Sequence, residues 1–282
     1  KEGFLKIISI FSFLGIMLGV AILIIVMSVM NGFKTELTNK IIGLNPHIVI
    51  QPNGFNIDEK YISKIKNNFK DIFLSKTYTG EGVIINSDQA KGIIFKGVNN
   101  TEKKIKDFLE KNIISGDVKK FKKNNIFIGS ELAFNLNLNE GDRINLMSSA
   151  FVATPLGSLP KQENFEIAGI FNTGFVEFDQ NIIFLTIEDA LSIFDKVHKD
   201  QNLEIYLKDP LEANSYKKEI EKYNPNYFIY TWSDLNKSFF NALKIERNVM
   251  FIILTLIIIV AAFNIISGLT ILIKNKTKEI AI

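Results

Sequence analysis

Two uncharged apolar runs near the ends of the chain limit its fold more than any other feature. Ile7–Met30 and Met250–Ile273 contain no Asp, Glu, Lys or Arg. Each matches the roughly 20 residues that a helix needs to cross the hydrocarbon layer. The first run is longer than the apolar part of a cleaved signal peptide, and no small-residue cleavage site follows it. Runs of this length seldom form the core helix of a soluble protein. We therefore predict a membrane protein with two transmembrane helices.

The lysines beside these runs predict how the chain crosses the membrane. Lys1 and Lys6 precede the first run, and Lys274 follows the second in a lysine-rich segment. The positive-inside rule places both chain ends in the cytoplasm. The segment between the runs mixes Lys, Asp and Glu and is too long for the loop-charge rule. We expect it to fold as an extracytoplasmic domain.

The pattern of short elements predicts an α+β fold for this domain. Strands are expected at His47–Gln51 and Ile72–Tyr78 with a helix between them, and at Leu203–Leu207 and Tyr227–Thr231 with another helix between them. A strand–helix–strand unit at each end predicts the two halves of a ferredoxin-like split βαβ sandwich. The residues between these halves read as shorter strands and predict a small inserted β subdomain.

These patterns divide the chain into parts. We predict a first transmembrane helix at 1–31, a domain at 32–248, a second transmembrane helix at 249–273 and the start of a cytoplasmic helix at 274–282. Within the domain, 32–98 and 203–248 form the ferredoxin-like, porter-like part. Residues 99–202 form the β-rich insertion, which includes a loop at 151–164. The first residue is not Met and the last lies in a charged segment, so we expect this sequence to be a fragment.

Residues with catalytic potential are few. The chain has no cysteine and two histidines, His47 in a predicted strand and His198 in a predicted loop. No GxxxxGK[ST] loop or HExxH motif occurs. Glu177 and Asp179 could pair, but a turn before a strand explains them as well. The lysines are scattered and form no stripe that would indicate nucleic-acid binding. We predict a non-enzyme that binds no metal and no nucleic acid.

Three residues inside the apolar runs predict contacts with other helices. Gly15 and Gly19 form a GxxxG pattern, which lets a second helix approach closely. Asn264 lies at mid-span depth, where an unpaired amide in lipid is costly. Two helices do not enclose a pathway, so we expect further helices beside them.

The segment FVATPLGSLPKQEN at 151–164 is unusual for a connection between two strands. A hairpin loop usually has two to five residues with polar turn chemistry. Pro155 and Pro160 stiffen this segment, and Leu156 and Leu159 are apolar where solvent is expected. The leucines either fold back onto their own subdomain or contact a partner.

Several segments resemble the lipoprotein-releasing system permeases of the LolC/LolE family. They are Ser28–Phe33 (SVMNGF), Ile42–Pro46 (IGLNP), Thr154–Pro160 (TPLGSLP), Val260–Ile266 (VAAFNII) and Lys278–Ile282 (KEIAI). The resemblance covers essentially the whole chain. These permeases are ABC transporter subunits of the mechanotransmission type, which also includes MacB-like and FtsX-like proteins.

The resemblance implies a multi-pass protein of the bacterial inner membrane with a large periplasmic domain. Such a permease has four spans, so this chain would lack the last two spans and part of its N-terminus. Its implied partners are a LolD-like cytoplasmic ATPase that hydrolyses ATP, a second permease copy or a sister permease, a LolA-like periplasmic carrier, a triacylated lipoprotein and membrane lipid. The chain itself would bind no cofactor. The ATPase would contact a coupling helix that contains Lys276, Lys278 and Glu279.

The resemblance also assigns the proline-containing loop. In LolC-type members this loop, the hook, enters the hydrophobic cavity of the carrier. The matching residues here are Pro155 and Leu156 at the tip, Leu159 and Pro160 on the return, and Lys161 and Gln162 as polar contacts. Glu163 stands where a basic residue is more typical, which departs from the family pattern.

The resemblance places the acyl chains of the lipoprotein between the first span of one subunit and the second span of its partner. Met27, Met30 and Phe33 near the outer end of the first span, and Phe263 in the second, are the candidate lining residues. Lipid-facing or packing roles remain the alternative for all four.

Two other functions fit the same sequence. A related mechanotransmission permease would act on periplasmic partners in efflux or cell-wall regulation, and would not need the apolar proline loop. A two-span sensor would bind a ligand outside and signal inward. The sequence leaves open whether the permease pairs with itself or with a sister, and whether it is of the LolC, LolE or hybrid type.

Overall fold

The computed structural model describes residues 2–280, apart from Phe55, Lys70, Ser87, Asp88, Leu156 and Pro225. The side chains of residues 2–9, 11, 12, 37, 44, 154, 264, 269, 271, 272 and 274–280 are also outside this description. The chain forms two compact units. One is built from the terminal segments Lys1–Gly43 and Ser233–Ile282, and the other from Leu44–Trp232.

The helices and strands follow one another in this order: α1 (Glu2–Leu44), β1 (Ile48–Gln51), α2 (Glu59–Asn68), β2 (Phe73–Asn86), β3 (Gln89–Val98), α3 (Lys103–Asn112), β4 (Ile113–Gly116), β5 (Asn125–Gly129), α4 (Ser130–Asn135), β6 (Arg143–Thr154), β7 (Gly157–Phe171), α5 (Val176–Asn181), β8 (Ile182–Thr186), α6 (Ile187–Ile193), β9 (Asn202–Tyr206), α7 (Ala213–Glu221), β10 (Phe228–Thr231), α8 (Trp232–Leu235) and α9 (Lys237–Ile280). Short 3₁₀ turns lie at Val118–Lys120, His198–Asp200 and Pro210–Glu212.

The terminal unit contains two helices that are long and apolar enough to cross a membrane. Their candidate spans run over Phe13–Gly43 in α1 and Lys237–Gly268 in α9, and their most apolar windows are not buried inside the chain. A helix satisfies its own backbone hydrogen bonds, which is what a segment surrounded by lipid requires. The prediction of two long apolar helices is therefore confirmed. The backbone of α9 continues as helix from Lys237 to Ile280.

The second unit begins and ends in a four-stranded antiparallel sheet. Its strand order is β10-β1-β9-β2, and only the first part of β2, Phe73–Thr77, belongs to it. The chain enters α2 at Asp58, whose carboxylate accepts a hydrogen bond from the Lys60 N–H. Both α2 and α7 bury an isoleucine, Ile65 and Ile220. Alternation of side chains in β1 buries every second residue, which gives the sheet an apolar face.

The other half of this unit is a ring of six strands. The second part of β2 pairs with β3, and the pairing continues through β8, β5, β7 and β6 back to β2. The strands therefore close into a small barrel, with β4 added outside β7. Its core is made of fully buried apolar side chains, among them Ile84, Phe95, Ile128, Leu146 and Ile183.

One strand serves both halves, which the sequence did not indicate. We expected separate strands at Ile72–Tyr78 and Gly82–Asn86, joined by a turn near Thr79 and Gly80. The structure instead has the single strand β2. A Cβ at Gly80 would lie 2.6 Å from the Phe194 ring, so this glycine provides packing space and not a turn. Similarly β3, expected in the ferredoxin-like part, pairs with β8 in the barrel.

The prediction of a loop at 151–164 was wrong, because these residues form the outer end of a β-hairpin. Thr154 of β6 pairs with Gly157 of β7, so Pro155 lies at the turn between the strands. Pro160 lies within β7, opposite Phe151. In this stretch β7 pairs only with β6 among the described strands. A strand with one neighbour tolerates a residue that lacks an N–H, which explains how a proline-containing segment can be a strand.

Candidate functional site

The hairpin extends beyond the barrel. From Asn145 to Met147, β6 pairs with both β2 and β7. Its next pairs with β7 begin at Phe151, and residues 151–154 and 157–160 form a two-stranded ribbon, which we call the arm. A ribbon with backbone hydrogen bonds is stiffer than an open loop of the same length, so the side chains on it are held in defined positions.

Apolar side chains cover much of the arm. Phe151, Val152 and Leu159 are 64, 47 and 53% exposed. Val152 lies directly opposite Leu159, and Phe151 lies opposite Pro160. Neighbouring positions of a strand point to opposite faces, so each face of the arm has one apolar pair. Because Leu159 is exposed, it does not fold back onto its own subdomain.

The structure places each residue of the predicted loop site on this arm or at its base. Pro155 is exposed at the tip, Pro160 is half-buried and Gln162 is exposed. Leu156 lies outside the described residues. Phe151 and Val152 were not among the predicted site residues, because only the pairing register shows that they lie opposite Pro160 and Leu159.

The two polar residues of the predicted site differ in their contacts. The Lys161 ammonium donates a hydrogen bond to the Ser192 carbonyl at 2.6 Å and lies 3.5 Å from the Glu163 carboxylate. Gln162 contacts only the Met147 sulfur among described partners, at 3.6 Å, and its side chain is exposed. Lys161 is thus engaged inside the chain, whereas Gln162 is open to a partner.

The residues predicted to line the lipoprotein path lie on the two long helices. Met27, Met30 and Phe33 are three residues apart on α1, so they share one side of that helix. The two methionines are half-buried, whereas Phe33 is exposed. Phe263 is exposed on α9.

The predicted packing positions on α1 are open. A Cβ built on Gly15 or Gly19 meets no heavy atom within 4 Å, so no described part of this chain packs against the motif. The side chains of Asn264, Lys276, Lys278 and Glu279 lie outside the described residues, so their predicted roles stay predictions.

The residues considered for catalysis make structural contacts. His47 is buried, and its Nδ1 accepts a hydrogen bond from the Leu207 N–H at 2.8 Å. Asp179 is buried in α5 and accepts hydrogen bonds from the N–H and the hydroxyl of Thr173. In the described part of the chain, no group of three His, Asp or Glu side chains is arranged to hold a metal ion.

A buried polar cluster lies where the four-stranded sheet meets the barrel. Lys96 of β3 and Glu204 of β9 form an ion pair at 3.2 Å, and both are almost fully buried. The Tyr206 hydroxyl donates to Glu204 at 2.7 Å. Burial, together with the Glu204 charge, raises the pKa of Tyr206 well above its usual value. Tyr206 therefore stays a hydrogen-bond donor near neutral pH.

The start of α3 completes this cluster. Glu102 accepts a hydrogen bond from the Ser75 hydroxyl at 2.7 Å, and burial raises the pKa of its carboxyl. The Lys104 ammonium lies over the Tyr206 ring, and burial lowers its pKa to about 8. These contacts hold α3 against the junction of the four-stranded sheet and the barrel. We therefore assign this cluster a structural role.

Comparison with known proteins gives one consistent family. The family model for the MacB-like periplasmic core domain matches residues 9–223. The lipoprotein-releasing system transmembrane protein LolC of Buchnera aphidicola subsp. Schizaphis graminum is 33% identical over 99% of this chain and 70% of that protein. LolC of Neisseria meningitidis serogroup B is 29% identical over 100% of this chain and 69% of that protein. LolE of Haemophilus influenzae is 28% identical over 100% and 70%.

Among solved structures, the periplasmic region of MacB from Actinobacillus actinomycetemcomitans aligns with a TM-score of 0.43 and 10% identity, over 72% of this chain and 96% of that one. The sequence relatives extend across both apolar helices and the domain between them. The chain therefore belongs to the LolC/LolE family of lipoprotein-releasing system transmembrane proteins, and it contains a MacB-like periplasmic core domain.

Proposed function

We propose that this chain is the permease subunit of an ABC transporter that extracts lipoproteins from the inner membrane and passes them to a periplasmic carrier. A separate ATPase hydrolyses the ATP, and the chain itself carries out no catalysis and holds no cofactor. The observation that carries this proposal is the apolar arm, built into the MacB-like domain of a LolC/LolE chain.

The membrane topology is part of the proposal. Residues 1–31 and 249–273 cross the inner membrane, residues 32–248 lie in the periplasm and residues 274–282 begin the cytoplasmic coupling helix. The four-stranded part is a ferredoxin-like unit with the barrel inserted between β2 and β9. Its strand order β10-β1-β9-β2, with a helix after β1 and another after β9, supports this topology.

The arm is the proposed hook for a LolA-like carrier. Its pairs Val152–Leu159 and Phe151–Pro160 would enter an apolar cavity of the carrier, together with the tip residues Pro155 and Leu156. Each aliphatic or aromatic side chain that becomes fully buried stabilises the complex by about 1.5–3 kcal/mol. Pairing of the two strands orders the arm before binding, so little conformational entropy is lost on docking. Gln162 is the polar contact that remains available.

The membrane helices would bind lipoprotein and partner subunits. Met27, Met30, Phe33 and Phe263 would contact the acyl chains of a triacylated lipoprotein or the surrounding lipid. Gly15, Gly19 and Asn264 would pack against a second permease copy or a sister permease. Lys276, Lys278 and Glu279 would contact a LolD-like ATPase. The open surface beside both glycines supports the packing role.

The test is lipoprotein transfer in proteoliposomes that contain the permease, its partner permease and the ATPase. Leu159→Asp puts a charge on the arm and should lower transfer to the added carrier more than tenfold, because burying an unpaired carboxylate is strongly unfavourable. ATP hydrolysis should remain. Val197→Asp is the control, because Val197 is also exposed but lies outside the arm. Normal transfer by Leu159→Asp would contradict the proposal and favour a related permease that acts on other periplasmic partners.

A further inference from the structure

The base of the arm is bonded to the end of α6 from both strands. The Ser148 hydroxyl of β6 donates to the Ile193 carbonyl at 2.6 Å. The Lys161 ammonium of β7 donates to the neighbouring Ser192 carbonyl at the same distance. The last carbonyls of a helix lack the N–H partners that interior carbonyls have. The Ser192 carbonyl accepts a hydrogen bond from the Asp195 N–H at 3.0 Å, and the Lys161 ammonium adds a second donor at a helix end where a cation is favourable. The two strands therefore cap one helix end together.

Glu163 adds a second set of contacts at the same place. Its carboxylate accepts a hydrogen bond from the Ser192 hydroxyl at 3.2 Å and lies 3.5 Å from the Lys161 ammonium. Lys161, Glu163 and Ser192 therefore form a closed triangle of contacts. We call these three residues, with Ser148 and Ile193, the mount. Glu163, which departs from the family pattern, thus has a partner inside the chain.

The mount coincides with a bulge in β6. Met147 pairs with Gln162 and Phe151 pairs with Pro160, so residues 148–150 of β6 face the single residue Lys161 of β7. The Ala150 N–H donates to the Ser148 hydroxyl at 3.2 Å, which holds the bulge. A bulge bends its strand and increases the local twist. The direction of the arm is therefore set where the mount lies.

Helix α6, which contacts the base of the arm, packs tightly against the barrel. A Cβ at Gly97 of β3 would lie 2.3 Å from the Ala190 Cβ, so α6 packs directly on the strand backbone. Ala190 and Ile193 are fully buried. Such close packing leaves no room for α6 to slide on the barrel.

We propose that the mount fixes the direction in which the arm leaves the barrel, and that Lys161 is its main positioning residue. Lys161 then serves the carrier interaction through the position of the arm and not by touching the carrier. The role of Lys161 in carrier binding rests on the proposed function. Its role in the direction of the arm does not.

The experiment measures the direction of the arm by the distance between two spin labels. The sequence has no cysteine, so Ser158→Cys on the arm and Lys123→Cys in the exposed turn before β5 can be labelled selectively in the detergent-solubilised protein. The unmodified mount should give one narrow distance distribution. Lys161→Met should broaden or shift this distance distribution. Lys161→Arg should keep it narrow, because arginine can still donate a hydrogen bond to the Ser192 carbonyl. Gln162→Met is the matched control and should leave the distribution unchanged.

A second readout separates this inference from the proposed function. If Lys161→Met leaves the arm in its binding direction about a tenth of the time, photo-crosslinking from position 159 to the carrier should fall about tenfold. An unchanged distance distribution in Lys161→Met would overturn the inference. A shifted distribution without carrier crosslinking in the unmodified protein would support the mount and overturn the proposed function. Fluorescence of Trp232, the single tryptophan, checks that each variant is folded.

Discussion

Lys96 and Glu204 join the two halves of the unit Leu44–Trp232 by an ion pair of 3.2 Å. Lys96 lies on β3 of the barrel and Glu204 on β9 of the four-stranded sheet. Both are almost fully buried, so neither charge can be solvated if the other is removed.

Removal of one partner should therefore destabilise the domain strongly. Lys96→Met removes the ion-pair partner of the buried Glu204 carboxylate and leaves it the Tyr206 hydrogen bond and the nearby Lys104 charge. We therefore expect a loss of about 3 kcal/mol in the free energy of unfolding, the lower end of the range for breaking a buried pair. Urea unfolding followed by Trp232 fluorescence measures this, because Trp232 is buried in the same unit. The double variant Lys96→Met/Glu204→Leu should lose less than the single one. Equal losses would show that the pair is not the cause.

The stability of the domain should depend on pH through Lys104. Its pKa is lowered from 10.5 to about 8 in the folded chain. Between pH 8 and 10.5 the Lys104 side chain binds more protons in the unfolded chain than in the folded chain. The free energy of unfolding therefore rises with pH over this range, and the added stability is lost as the pH falls through about 8. Lys104 is exposed, so solvent screens its charge and keeps the effect small.

This pH dependence can be isolated with Lys104→Met. Unfolding midpoints between about pH 8 and 9.5 should rise in the unmodified protein and stay flatter in the variant. Tyr206 and Tyr61 have a raised pKa in the folded chain, so their titration lowers the stability as the pH rises. Measurements below the pH range in which tyrosines titrate avoid this opposite effect. Lys103→Met, one residue earlier and exposed, should behave like the unmodified protein. A steep rise that persists in Lys104→Met would assign the effect to another group.

Two glycines of β3 should respond differently to the same substitution. Gly97→Ala places a methyl group where only 2.3 Å separates it from Ala190, so we expect a loss of about 1–3 kcal/mol from overpacking under α6. Gly92→Ala meets no atom within 4 Å and should be neutral or slightly stabilising. Urea midpoints of the two variants make the comparison. Equal midpoints would mean that α6 can move away from the strand.

The open glycines of α1 predict a contact outside this chain. Gly15→Leu and Gly19→Leu should leave the unfolding of the unit Leu44–Trp232 unchanged, since nothing in the described chain lies near the two glycines. They should prevent association with a partner permease, measured by co-purification in mild detergent, because a larger side chain keeps helices apart. Gly32→Leu, equally open on the same helix, is the control. Normal co-purification of both variants would remove the motif from the interface.

The parts of the fold that depend on local patterns could be predicted from the sequence. The two long helices could be predicted because each apolar run has no charge over a membrane-spanning length. Most short strands could be predicted from their apolar residues. The shared strand β2 could not be predicted, because Gly80 signals a turn unless the Phe194 ring that packs on it is known. Likewise, Val152 and Leu159 are seven residues apart in the sequence, and only the hairpin register brings them together.

The contacts of Lys161 show a second limit of sequence analysis. A lysine that follows an apolar tip is expected to meet a partner, and the resemblance to LolC-type members strengthened that expectation. The structure shows a short hydrogen bond to Ser192, which lies on a helix thirty-one residues away along the chain. Contacts of this kind depend on tertiary packing that no local pattern encodes.

The most direct test of the account is photo-crosslinking from position 159 of the arm, in native membranes supplied with a purified LolA-like carrier. We expect a crosslink to the carrier that Val152→Asp abolishes, because Val152 lies opposite Leu159 on the same face. A photoreactive residue at position 197, exposed but outside the arm, should give none. Absence of any crosslink from position 159, with the protein folded and its ATPase bound, would contradict the assignment of the arm as the carrier-binding hook.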